Sequence, residues 1–175
     1  MKSICYPVFA VFLLFCTFSA QAAAVRVNTE EHPNQRHQGK GVAVIIDEVK
    51  IGSEQLVFYG LSANTLKSDQ PLQSSDKNKI YPLHAFVNYS FDYAISPYIE
   101  FGMDLGDWII DEIFDGKGEN IDIYYSLGVE LRLKKTVAVA LYHKVYDLRF
   151  SEKNNSGSQN AMISLTGISL TYYMK

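Results

Sequence analysis

The chain has 175 residues, 47% apolar and 13% aromatic, with 12 Tyr and 10 Phe. It is long enough for one domain with a sizeable core and too apolar for a disordered chain, and its aromatic weight favours extended structure. With 16 basic against 19 acidic side chains, nothing in the charge suits a phosphate-seeking, nucleic-acid-binding surface.

Residues 1–22 have the layout of a secretory signal peptide. Lys2 supplies the positive start, Ile4 to Phe18 is the apolar run, and Ala20-Gln21-Ala22 is a small-x-small cleavage site. The run is short for a membrane-spanning helix, and Phe15 before Cys16 is too large for a lipoprotein signal. Cys5 and Cys16 both fall in this segment, so residues 23–175, the expected mature domain, contain no cysteine and can form neither a disulfide nor a thiolate site. Loss of Lys2 leaves 15 basic against 19 acidic groups, a net charge of −4.

From Val25 onward the apolar period is two, which signals half-buried strands. Val25 to Thr29 is a short first strand, and the polar run 30 to 40 (EEHPNQRHQGK) is a loop. His32 and His37 share that loop and are expected to be solvated. Strands follow at Val42 to Val49 and Leu56 to Leu66, then a long connection over 67 to 80. From Tyr81 to Asp92 the odd positions are apolar or aromatic, whereas His84, Asn88, Ser90 and Asp92 are even. Tyr93-Ala94 is a tight turn. Ile95, Pro97, Ile99, Phe101, Met103 and Leu105 then alternate with Ser96, Tyr98, Glu100, Gly102 and Asp104.

Residues 109 to 119 form another long loop. Asp111 to Asn120 (DEIFDGKGEN) is acidic and glycine-containing, but it lacks the ligand spacing of a calcium loop. From Asn120 to Leu133, Ile123, Leu127, Val129 and Leu131 alternate with Asp122, Glu130 and Arg132. Lys134-Lys135 is a turn, Val137 to Phe150 a strand, and 151 to 160 a polar loop. In the last strand, Ala161 to Met174, Ile163 and Leu165 are odd while Ile168, Leu170 and Tyr172 are even, which predicts a bulge near Gly167.

Long and short connections alternate strictly, so eight strands run up and down with the short turns at one end. The even positions hold Gly, Ser, Tyr and a few charges, and most lysines fall in loops, turns or ends. Small residues among tyrosines suit the crowded interior of a narrow barrel, not a watery skin. The oily faces are long enough to cross a bilayer, and Tyr81, Tyr89, Phe91, Trp108, Tyr172 and Tyr173 lie toward strand ends, where aromatic girdles belong. The expected fold is all-β: an up-and-down antiparallel eight-stranded transmembrane β-barrel. Ile99, Phe101, Met103, Leu105, Ile123, Leu127, Val129 and Leu131 would face lipid. His84, Tyr98, Glu100, Asp104, Asp122, Glu130 and Arg132 would form a polar lumen network, read as a packed plug in preference to a conducting, porin-like pore.

The segment "PYIEFG", Pro97 to Gly102, resembles a strand motif of small outer-membrane barrels. The ending "ISLTYYMK" resembles their C-terminal assembly signal, with Met174-Lys175 where a final Phe is usual. The last 80 or so residues are also similar in layout to the lipid A 3-O-deacylases, whose penultimate strand carries His-x-Ser. In "ALYHKVYDL" His143 matches the histidine, but Val145 stands at the serine, and no acidic residue lies between Ala161 and Leu170. Valine cannot act as a nucleophile. His143 and Lys144 are adjacent polar residues in mid-strand, and a bulge is expected to turn both away from lipid.

These readings lead to a non-enzymatic barrel of the Gram-negative outer membrane with a role in envelope structure or surface interaction. It would be a monomer without metal or cofactor, contacting outer-membrane lipid and lipopolysaccharide, and the barrel-assembly machinery during biogenesis. The alternatives are a lipid A ester hydrolase with His143 as base and a soluble, lipocalin-like periplasmic carrier.

Overall fold

The computed structural model describes residues 23–32, 37–67, 79–105, 122–151 and 158–174. The expected signal segment, Trp108, the acidic loop around Asp111 to Asn120 and most of the other long loops lie outside them.

Nine strands lie among the described residues: β1 Ala24–Glu31, β2 Gln38–Ile51, β3 Gln55–Lys67, β4 Lys79–Ile80, β5 Leu83–Phe91, β6 Ile95–Asp104, β7 Ile123–Lys134, β8 Val137–Ser151 and β9 Ser158–Tyr173. The two-residue β4 pairs with the end of β3 beyond β5, from which Tyr81-Pro82 separates it. The other eight close into an antiparallel barrel, because β1 pairs with β9 as well as β2, and β2 with β3. Starting at Ala24 and stepping across paired residues, the path runs through Ile45, Gly60, Phe86, Gly102, Tyr124, Tyr146 and Ile163. Since Thr166 faces Glu31, this path returns to the β1 register ten positions beyond Ala24. Eight strands with that stagger enclose a space that side chains can fill.

The barrel departs from the sequence expectation in several places: β4 lies within the expected connection 67 to 80, and β9 begins at Ser158 within the expected loop 151 to 160. Strands β1 and β2 extend into the polar run 30 to 40, because Glu30 turns inward and is fully buried there. Gly167 carries no bulge, and the registers of β9 with both neighbours are unbroken across it. The phase change has another cause: Ile163 and Leu165 point inward and are buried, while Ile168, Leu170 and Tyr172 point outward. Register shifts occur instead between Ile45 and Asp47 in β2 and between Arg132 and Lys134 in β7. Finally, no bulge turns His143 and Lys144 away together. The β7–β8 ladder runs straight through them, so His143 faces out and Lys144 faces in.

The interior is layered. Leu56, Phe58 and Ile45 fill the part nearer the short turns, Phe86 sits beside the middle, and Tyr124, Tyr146, Leu165 and Leu66 fill the part nearer the long connections. Inward glycines give the rings room. Tyr98 lies opposite Gly128, Tyr124 opposite Gly102, and Tyr142 opposite Gly167. A Cβ added at Gly102 would stand 2.2 Å from the Tyr124 ring, and one at Gly128 or Gly167 would stand 2.6 Å from the tyrosine it faces.

Candidate functional site

The chemically distinctive part of the molecule is the middle of the lumen, between the two apolar layers. Alternation aims Arg26, Asn28 and Glu30 of β1 inward, where they meet Glu100 of β6 and Lys144 of β8. The Arg26 guanidinium donates two hydrogen bonds to Glu100, Nη1 to Oε2 at 2.6 Å and Nη2 to Oε1 at 3.0 Å. Glu100 also accepts from Tyr124 Oη at 2.9 Å and Asn88 Nδ2 at 3.2 Å. Arg26 lies over the Phe86 ring at 4.9 Å. Such a forked, charge-assisted pair is directional and strong.

A second carboxylate is held in the same way. Glu30 pairs with Lys144 Nζ at 3.1 Å and accepts from Tyr142 Oη at 3.0 Å, Tyr146 Oη at 2.9 Å and Asn28 Nδ2 at 2.8 Å. Lys144 sits 4.4 Å from the Tyr124 ring centre, between Tyr142 and Tyr146. Two cations and two anions thus neutralise one another inside the wall, and each carboxylate has several donors, as burial requires. The space left among Arg26, Asn28, Tyr98, Glu100, Ser126, Tyr142 and Lys144 is about 10 Å³, room for no more than about one water.

The remaining lumen residues named from sequence also face inward, but the structure spreads them along the barrel. His84 contacts Asn64 Nδ2 through Nδ1 at 3.1 Å and meets Tyr124 edge-on. Asp104 accepts from the Leu83 backbone N–H at 3.3 Å, and its own N–H donates to the Asp122 carbonyl at 2.8 Å. Glu130 and Arg132 belong to the short-turn end. There Arg132 donates to Glu130 at 3.2 Å and Asp92 at 2.7 Å, and Tyr173 donates to Glu130 at 3.1 Å. In the turn before β6, the Lys50 hydrogen bond and then the charge of Arg132 hold the Asp92 carboxyl below the usual carboxylate range. Outside, Phe101, Met103, Ile123, Leu127, Val129 and Leu131 are exposed, and Ile99 and Leu105 are partly so.

Of the seven residues named for the lumen, only Tyr98 and Glu100 line the central cavity. Sequence reasoning missed Arg26, Glu30 and Lys144, together with the tyrosines 124, 142 and 146. A signal existed for four of these, since Tyr142, Lys144 and Tyr146 keep the phase of Ala138 and Ala140 in β8, and Tyr124 keeps the phase of Ser126 and Gly128 in β7.

His143 stands on the outer face. Its Nδ1 is 3.2 Å from Thr166 Oγ1 on the neighbouring strand. Thr166 is the cross-strand partner of Glu31.

No family model and no curated protein sequence matches the chain. Solved structures do. Neisserial surface protein A (NspA) superposes with a TM-score of 0.52 at 13% identity, covering 86% of this chain and 94% of that one. The outer membrane enzyme PagL superposes with a TM-score of 0.50 at 11% identity, covering 87% of this chain and all of that one. The fold is that of the small eight-stranded outer-membrane barrels. At such identities the likeness concerns the fold alone. The distribution of side chains agrees with it: apolar groups outside and charges inside is the reverse of a soluble carrier with an apolar pocket.

Proposed function

We propose that this chain is a non-enzymatic barrel of the Gram-negative outer membrane, with a sealed lumen, acting in envelope structure or in surface interaction through its long connections. Its partners on this reading are outer-membrane lipid and lipopolysaccharide, with the barrel-assembly machinery during biogenesis. The observation that carries the proposal is the pair of buried ion pairs, Arg26–Glu100 and Lys144–Glu30, with almost no free volume between them. A lumen filled by neutralised charge at its centre, with apolar layers on both sides, has no water path to conduct ions. The protein should enter the outer-membrane fraction and migrate differently on gels before and after boiling. In planar bilayers it should show no stable conductance steps. Reproducible ohmic channels from the purified barrel would overturn the sealed-lumen reading.

A second reading rests on the His143–Thr166 contact. A hydroxyl hydrogen-bonded to an imidazole on the outer wall could attack a lipid ester, with Thr166 supplying the nucleophile that Val145 cannot. It requires that expression in a Gram-negative host shift the mass of lipid A, and that His143→Ala and Thr166→Val each abolish the shift. Unchanged lipid A with the folded wild-type protein present ends this reading.

A further inference from the structure

The short-turn end of the barrel holds a recess of about 270 Å³, lined by Ala23, Glu48, Asp92, Arg132, Lys135, Tyr173 and Met174. Asp92 is paired there with Lys50 and Arg132. The Glu48 carboxylate makes no hydrogen bond or ion pair with the described residues; its backbone N–H donates to Asp47 Oδ1, its strand position pairs with Phe58, and its charge lies near the Tyr173 hydroxyl. Ala23 is fixed on both sides. Its N–H donates to the Ile45 carbonyl at 2.9 Å, and its carbonyl accepts from the Met174 N–H at 2.8 Å. In sequence it immediately follows the small-x-small motif Ala20-Gln21-Ala22.

We propose that hydrolysis of the Ala22–Ala23 bond creates a structural cation: the new Ala23 ammonium, held in this recess by the Ile45 carbonyl and the Glu48 carboxylate. The inference rests on reading residues 1–22 as a cleaved secretory signal. Water adds across the amide, the carboxylate departs with Ala22, and the freed amine takes up a proton. An amide nitrogen offers the recess one N–H, whereas an ammonium offers three. One already has its acceptor in Ile45, and the added charge meets an otherwise unpartnered carboxylate. The position of the cut matters. Ala24 is fully buried and pairs with both Ile45 and Tyr173, so a chain beginning at Val25 would lose the clasp and the first rung of β1.

The test uses the full 175-residue chain expressed in a Gram-negative host and purified from the outer-membrane fraction. Intact mass and N-terminal sequencing should show a free amine on Ala23. The folded barrel in detergent is then treated with an amine-acetylating reagent near pH 7.5, where an unhindered α-amine reacts ahead of lysine. A charge-assisted hydrogen bond should slow acetylation of Ala23 about tenfold relative to the heat-unfolded chain. Glu48→Gln, at an exposed position, should remove most of that protection while keeping heat-modifiable migration, and Glu31→Gln at the opposite end should leave it unchanged. An uncut chain or a different first residue overturns the signal reading and the clasp together. A chain that begins at Ala23 but is acetylated as fast folded as unfolded overturns the clasp alone, as does Glu48→Gln without effect or Glu31→Gln with an equal one.

Discussion

At the scale of single residues, the lumen poses a question of compensation. Glu100 is almost fully buried, yet four hydrogen bonds from Arg26, Tyr124 and Asn88 converge on its two oxygens. Breaking a buried pair on one side strands the other charge, which costs far more than deleting both. Arg26→Ala leaves Glu100 with neutral donors and only Lys144, which is paired with Glu30, as a more distant counter-charge, and should lower unfolding stability by about 3–5 kcal/mol. Replacing both, Arg26→Met with Glu100→Leu, should recover most of that loss, because the apolar layers on either side can pack against the new side chains. Urea unfolding of the barrel refolded into lipid vesicles measures all three variants. A loss under about 1 kcal/mol for Arg26→Ala, the range of exposed pairs, would show that water reaches this site.

At the scale of the strand, β6 shows how alternation divides the work. Its odd residues make the outer wall, and its even residues are chosen for their neighbours: Glu100 for Arg26, and Gly102 for the ring of Tyr124. Because the Tyr124 hydroxyl is tied to Glu100, the ring cannot easily swing clear of a side chain at position 102. Gly102→Val should therefore cost about 1–3 kcal/mol through overpacking. Met103→Val, one residue on but facing outward, should change stability little, and equal effects in the same unfolding assay would refute the division of faces. This logic was legible in the sequence wherever a strand keeps charges and glycines on one face, as β6 and β7 do. It was illegible where an inward residue is itself apolar, as with Ile163 and Leu165, since hydropathy cannot tell an apolar lumen layer from a lipid wall. It failed again at Glu30, where a carboxylate in a polar run looks like a loop until Lys144, 114 positions away, is seen beside it.

At the scale of the whole molecule, the outer apolar belt has an uneven upper edge. On β6 and β7 it runs unbroken from Ile95 to Leu105 and from Ile123 to Leu133, whereas on β1 only Val25 and Val27 precede Thr29 and Glu31. The adjoining strands share the shortfall, with Thr166 and Ser164 on β9 and Lys40 and Gln38 on β2. A closed ladder cannot shift one strand against its neighbours, so on the proposed outer-membrane reading the mismatch would be met by leaning the barrel or thinning the bilayer beside β9, β1 and β2. The register identifies two positions for measuring it. Lys40 lies five residues above Ile45, and Met103 one residue above Gly102, while the paired path from Ile45 to Gly102 itself climbs about four residues, so the two stand at nearly equal height on the barrel. Residues 23–175 lack cysteine, so Lys40→Cys and Met103→Cys can each carry a single spin label. Collision with oxygen and with a water-soluble nickel complex should place the Met103 label in the hydrocarbon and the Lys40 label near the headgroups. If both report the same depth within the hydrocarbon, the uneven belt has no bearing on how the barrel sits in the membrane.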